Sequence, residues 1–319
     1  MKIDNAQLAA FAMVVREGSF EAAARKLHVT PSAVSQRIKL LEERLGQVLI
    51  RRANPCQATD AGKTLVRYTE ELALLESEML GMLGGTDTTM QAALRMPIAV
   101  NADSLESWFF AVFDAMPAEP PISFDLRVED QDHSAALLRD GTVMAAVSAS
   151  PAPIQGCTVE PLGVMRYLAV SSPAYVVRHF PAGVDAATLG SAPMLRFNLK
   201  DALQQQFIEL FTAETLQPPT HMVQSVHGFV ALAKRGLGWG MVPEHFAQSA
   251  IAAGELAEIA PGHYLDVPLH WHRWRLGSQA LNALSAAVRV VARNALRQHA
   301  REITECVLSP DGGRPSPSS

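Results

Sequence analysis

The stretch from Ser19 to Gly46 constrains the fold most, because it reads as two short helices joined by a turn of roughly three or four residues. That spacing is the mark of a helix-turn-helix. Ser19 is a good N-cap for the segment FEAAARKL, in which Ala23 and Ala24 let another helix approach closely. His28 and Val29 make the connection. Thr30 caps the next helix and Pro31 takes its first position, where a missing N–H costs nothing. Ahead of the pair, Leu8, Phe11, Ala12 and Val15 recur at helical spacing and predict an amphipathic helix ending near Gly18.

The helix PSAVSQRIKLLEERLG buries Val34, Ile38, Leu41 and Leu45. At roughly 100° per residue, Ser32, Ser35, Gln36 and Lys39 fall on the opposite face, with Arg37 beside them. These side chains can meet base edges and phosphates, and no acid interrupts them before Glu42 and Glu43. A helix face that is merely solvated would mix Glu with Lys from its start. After Gly46, VLIRR and CQAT read as two short strands around an Asn54-Pro55 turn, a wing with Arg51 and Arg52 near its tip, suited to phosphate or a narrow minor groove.

Charge agrees once it is divided by region. The whole chain is acidic, with 27 Lys and Arg against 32 Asp and Glu. Residues 1–65 nevertheless hold ten basic and six acidic side chains, leaving 17 and 26 for the rest. A basic head on an acidic body gives a localised footprint for double-stranded DNA rather than general affinity for polyanions. The apolar runs are broken by Arg, Glu or Pro well short of a membrane span. The N-terminus lacks an export signal, and Cys56, Cys157 and Cys306 form no CxxC, which together lead one to expect a reducing cytoplasm.

The segment GSFEAAARKLHVTPSAVSQRIKLLEERLGQVLIRR, followed by ATDAGKTL, resembles the head of the LysR-type transcriptional regulators. Ile50 stands where that family usually has Phe, and Thr30-Pro31-Ser32 where it usually has Ser-Gln-Pro. With SAVSQRIK and NPCQATDAG, the pattern is similar to the arginine- and lysine-responsive branch, the ArgP and LysG type. The resemblance implies a winged helix-turn-helix head, a long dimerisation helix, and two α/β subdomains like a periplasmic binding protein. It implies a homodimer or homotetramer, leaves RNA polymerase open as a further partner, and points by analogy to an amino-acid exporter as the regulated gene.

The expected boundaries are residues 1–59 for the head, 60–89 for the linker helix and 90–304 for the effector domain. Within the last, subdomain 1 takes 90–165 and 268–304, and subdomain 2 takes 166–267. Residues 305–319, SPDGGRPSPSS at their core, are expected to be disordered. Thr59 or Asp60 should cap the linker helix, whose Leu65, Tyr68, Leu72, Leu75, Met79 and Met82 step by three and four like a coiled-coil seam. The plain alternative is a helix lying on its own domain. Glu71, Glu76 and Glu78 flank the seam and should repel across a symmetric pair unless basic groups compensate.

Beyond residue 92, the runs MPIAV, FDLRV, VMAAVS, YLAVS, PMLRF and WGMVP alternate with helical stretches, which predicts α/β layers with largely parallel sheet. Ligands in such folds sit where strand ends meet helix starts. Candidate effector residues are accordingly Asn101 and Ser104 (Ser104 or Asp103 as cap), the acids Glu129, Asp130 and Asp132, Asn198 with Asp201 nearby, and His227 at a helix opening. Each has a plain reading as a cap or solubilising group. An acid cluster in a cleft needs a cation, so lysine or arginine is the expected effector, with Asp130 its first partner. His270 and His272 flank Trp271 without a third ligand, and no HExxH or GxSxG occurs, so neither metal, cofactor nor catalytic machinery is expected. The competing readings are a regulator of another metabolite or of redox state, and a transport-type solute-binding protein.

Overall fold

The computed structural model describes residues 3–83, 94–118, 121–128 and 134–298. The head packs α1 (Asn5–Glu17), α2 (Phe20–Lys26) and α3 (Pro31–Leu45) around Phe11, Val14, Val34, Ile38 and Leu41, all essentially without solvent contact. Local chemistry sets their ends. Asp4, Ser19 and Thr30 accept backbone N–H groups as N-caps, while Gly18 and Gly46 close α1 and α3 in the left-handed conformation. His28 takes φ 53° in the tight link between α2 and α3.

The wing consists of β1 (Ile50–Arg51) and β2 (Gln57–Ala58), paired antiparallel, with a cis Asn54–Pro55 bond between them. Cys56 N–H donates to Gly18 O at 2.8 Å, and Glu42 Oε1 accepts from Leu49 N at 2.8 Å, so the wing is tied to α1 and α3. Helix α4 (Asp60–Met82) leaves directly from it. Thr59 both caps α4 and donates to Val48 O at 2.7 Å. At Gly62 a Cβ atom would lie 2.2 Å from Leu49 O, so only glycine lets the helix start this close to the wing.

The body is built on a seven-stranded sheet. Strand β3 (Leu94–Val100) leads through α5 (Ala102–Ser104), a π-helical turn (Leu105–Phe109) and α6 (Ala111–Asp114) to β4 (Ile122–Val128). Then come α7 (Ser134–Arg139), β5 (Ala145–Ser148) and the 15-residue β6 (Cys157–Ser171). The second lobe holds α8 (Pro173–His179), α9 (Ala186–Ser191), β7 (Met194–Arg196), α10 (Leu203–Ile208), β8 (Thr220–Met222) and α11 (Val226–Lys234). It continues through β9 (Gly240–Pro243), α12 (Glu244–Ala252) and β10 (Ala257–Glu258). Strand β11 (Tyr264–Trp274) returns the chain to the first lobe, where α13 (Gln279–Ala295) buries Leu281, Leu284 and Val288.

All six predicted apolar runs are strands, yet the expectation of a largely parallel sheet fails in part. β3 pairs in parallel with β4 and β5, and β7 with β8. By contrast β11 runs antiparallel to β6 along its whole length, and β9, β10 and β5 also join antiparallel neighbours. The cause is topological: two long strands carry the chain out to the second lobe and back, and adjacent out-and-back strands must oppose. The core around them is aromatic, with Trp239, Trp271 and Trp274 fully buried. Trp271 donates to Ser285 Oγ at 3.0 Å and Trp274 to Leu138 O at 3.2 Å, so neither indole is buried unsatisfied.

Helix α4 serves two surfaces. One side docks on its own body through Leu74, buried to 1% exposure, and through Arg67, which donates to Gly156 O at 2.8 Å and Gln155 O at 3.3 Å and lies over the Trp274 ring. Gly141, at φ 81°, admits the Arg67 backbone where a Cβ would stand 2.6 Å from its nitrogen. Two of the three acids flanking the seam have partners: Glu71 the kind of basic group expected to offset it, Glu78 polar donors instead. Glu71 accepts from Arg67 Nε at 2.9 Å, and Glu78 caps α13, taking Ser278 Oγ–H at 2.6 Å and Ala280 N–H at 2.9 Å. Leu65 is likewise not at an open seam; it lies in the head's own core. The other side exposes Tyr68, Leu75, Met79 and Met82 to solvent. The expected linker beyond residue 83 and the 305–319 tail lie outside the described residues.

Candidate functional site

Two surfaces carry chemistry. On α3, Ser32, Gln36 and Lys39 are exposed, Ser35 and Arg37 half-exposed, and Arg51 and Arg52 exposed on the wing. The face therefore gathers every residue that the helical projection put there. Ser32 Oγ shares a 2.9 Å hydrogen bond with Thr30 Oγ1, which steadies the helix start. Lys39 lies 3.7 Å from Glu43 with both side chains largely solvated, a pair worth at most about 1 kcal/mol and readily given up to a phosphate. Arg52 rests over the Phe20 ring at 5.0 Å, which places its charge beside α2 rather than at the wing tip.

The second surface is a cleft of about 550 Å³ between the lobes. Its first-lobe wall is Asn101, Ala102 and Asp103, at the end of β3, together with Val128, at the end of β4. The second-lobe wall comes from the 197–203 loop, Gln206, Gln224, the start of α11 and the end of β9. Of the candidates, Asn101 and Asn198 line this cleft. Asn101 is 5% exposed and its Oδ1 has no partner among the described residues. Asn198 Oδ1 accepts from Lys200 N at 2.8 Å and Asp201 N at 3.1 Å, so it holds its own loop in shape.

Ser104 is displaced from the expected role. It is fully buried, outside the cleft lining, because the helix starts at Ala102 with Asn101 in the cap position, three residues before Ser104 and two before Asp103. His227 is exposed at the opening of α11, its Nδ1 2.6 Å from Glu106 Oε2 of the first lobe. Ser225 rather than His227 caps that helix. Glu129, Asp130 and Asp132 lie outside the described residues, directly after Val128.

The acids that the structure does describe in the cleft are Asp103 and Asp201. Asp201 is well served: Oδ2 accepts from Phe197 N at 2.9 Å and Oδ1 from Leu203 N at 3.1 Å. Asp103 receives one bond among the described residues, from Tyr167 Oη–H at 2.7 Å. Burial pushes its carboxyl up to about 6; the tyrosine bond works against that rise, and the negative charges of Asp201 and Glu106 add to it. Burial, with the charge of Asp103, also drives the Tyr167 phenol well above its ordinary range. Sequence reasoning named Asp103 only as a cap and passed over Tyr167, which sits in an apolar strand and reads there as core. Among the described residues, no group of three or more His, Cys, Asp or Glu could hold a metal.

A helix-turn-helix head, basic on its exposed face, joined to a two-lobed body with a polar cleft, is the construction of a ligand-binding DNA regulator. Comparison with known families agrees. Residues 6–63 match the bacterial regulatory helix-turn-helix protein model of the lysR family, and residues 102–300 match the LysR substrate binding domain. The chain belongs to the LysR family of transcriptional regulators. It is 47% identical to the HTH-type transcriptional regulator LysG of Mycobacterium tuberculosis over 300 residues, which span 94% of this chain and 97% of that one. The crystal structure of ArgP from Mycobacterium tuberculosis superposes with a TM-score of 0.84 at 47% identity, covering 93% of this chain and 100% of that one. Full-length LysG from Corynebacterium glutamicum with bound effector Arg superposes with a TM-score of 0.75 at 37% identity, covering 92% and 99%.

Proposed function

We propose that this regulator binds an operator in double-stranded DNA as a homo-oligomer and that a basic amino acid, arginine or lysine, sets its response from the inter-lobe cleft. The observation that carries the reading is the charge of that cleft. Among the described residues, the acids Asp103 and Asp201 face it from opposite walls, negative charge that a ligand cation would neutralise. The arginine bound to the similar Corynebacterium glutamicum regulator supports the same choice. Ser32, Ser35, Gln36, Arg37 and Lys39 are the proposed readers of the major groove, and Arg51 and Arg52 the proposed phosphate or minor-groove contacts. The exposed Tyr68, Leu75, Met79 and Met82 stripe supports pairing through α4. The reading places the protein in the cytoplasm, with RNA polymerase as the partner it would meet at a promoter and an exporter of the effector as its target.

Titration calorimetry of the full chain tests the effector. Arginine and lysine should bind, and norleucine, of similar length but without the terminal cation, should bind at least tenfold more weakly. Equal binding of norleucine would end the basic-effector reading.

A further inference from the structure

We propose that Asp103 is the acid that takes a cationic nitrogen of the effector, and that it releases a proton to water as it does so, which makes effector binding depend on pH. The inference rests on the basic-amino-acid reading and adds its regulation. Three features of the cleft carry it. First, Asp103 lines the cavity and yet, among the described residues, receives only the Tyr167 hydrogen bond, while Asp201, on the opposite wall, has a backbone N–H on each oxygen. An ionised carboxylate can accept about four hydrogen bonds, so Asp103 is the acid with acceptor capacity to spare. Second, Asn101 beside it is nine-tenths buried with an Oδ1 that has no partner among the described residues, a second acceptor on the same wall. An acid with spare acceptor capacity beside a second unused acceptor fits an ammonium or guanidinium group.

Third, the surroundings hold the empty site short of full ionisation. Among the described residues, the titratable and charged groups around Asp103 are Asp201 and Lys200 from the second-lobe loop, Glu106 from the π-helical turn on its own side, and His227 of α11, which reaches Glu106. Tyr167 from β6 is its one donor among them. Burial and the neighbouring acids keep the proton on the carboxyl up to a pH of about 6. A cation arriving in contact reverses both effects, so the proton leaves on binding.

Calorimetry of arginine binding to the full-length protein at pH 6, in two buffers of different ionisation heat, reads this directly. With the carboxyl near half-protonation at about pH 6, the wild type should release about half a proton per arginine. Between pH 5 and pH 7 its affinity should rise roughly tenfold by the same linkage. Asp103→Asn should bind arginine more weakly with neither proton release nor pH dependence. Asp103→Glu should restore the linkage in part. His227→Gln removes the nearby imidazole and should keep the proton release. Should Asp103→Asn fail to fold, Tyr167→Phe gives an independent reading: loss of its hydrogen bond should move the midpoint of the linkage to higher pH. Arginine binding to the wild type without proton exchange at pH 6, or the same exchange in Asp103→Asn, overturns this inference alone. Failure of the wild type to bind either arginine or lysine overturns the basic-amino-acid reading, and this inference with it.

Discussion

The head and the cleft present their chemistry in opposite ways. On the head, the working side chains stand on one helix and one hairpin, spaced by the helical repeat and held from behind by Val34, Ile38 and Leu41. In the cleft, the wall is assembled from the ends of β3, β4 and β9, the starts of α10 and α11 and the loop before α10, the outermost of them more than a hundred residues apart in the chain. A surface made by one element can be read from its period. A surface made by juxtaposition depends on packing between elements, to which no local pattern refers.

The comparison is broken most severely if the head works as well alone as in a pair. Leu75→Glu with Met79→Glu places charge in the exposed stripe of α4 and leaves both cores untouched. The mass by light scattering should fall to that of the monomer, and affinity for a two-half-site operator should drop by about a hundredfold or more, as linked binding is lost. Native mass with native affinity would show that the stripe is not an interface.

A smaller effect sharpens the assignment within the head. Gln36→Ala should relax preference at one base position by about 1–3 kcal/mol. Arg51→Ala should weaken all sequences alike and lower the salt slope by about one. An unchanged footprint and affinity in the Gln36 variant would count against α3 as the reading element.

In the cleft the expected change has the opposite sign. Asp103 holds its proton to a higher pH in the folded chain than in the unfolded one, so ionising it costs stability as pH rises from about 4 to about 6. Asp103→Asn should therefore stabilise the unliganded protein at pH 7 by up to about 3 kcal/mol, with the gain vanishing near pH 4. A melting temperature unchanged by the substitution at pH 7 would show that the carboxylate is not strained. Smallest is Glu78→Gln, which weakens a cap that joins linker to body; about 1 kcal/mol lost in urea unfolding is expected.

The same contrast explains what the sequence disclosed. The helix-turn-helix and wing were legible because caps and periodicity are local: Ser19, Thr30 and Pro31 act where they stand. The two-lobed α/β body was legible from its alternation of strands and helices. The direction of β11 was not, since a strand's partner is not written in its own residues. Asp103 looked like a cap because an acid at a strand–helix junction usually is one; its distinction is a tyrosine 64 residues away, supplied by the sheet. Glu78 looked like a repulsive flank because α13, which it caps, begins 200 residues later.

The close seat of α4 on the wing has a mechanical consequence. At Gly62 the helix backbone touches Leu49, Thr59 ties the same corner, and further along Arg67 and Glu78 fasten the helix to the body. No slack joint lies between these fastenings, so the helix acts as a boom. From Glu78 to Asp60 it measures about 27 Å. A turn of the body by about 10° around the Glu78 end would then sweep the wing through about 5 Å, most of the width of a minor groove.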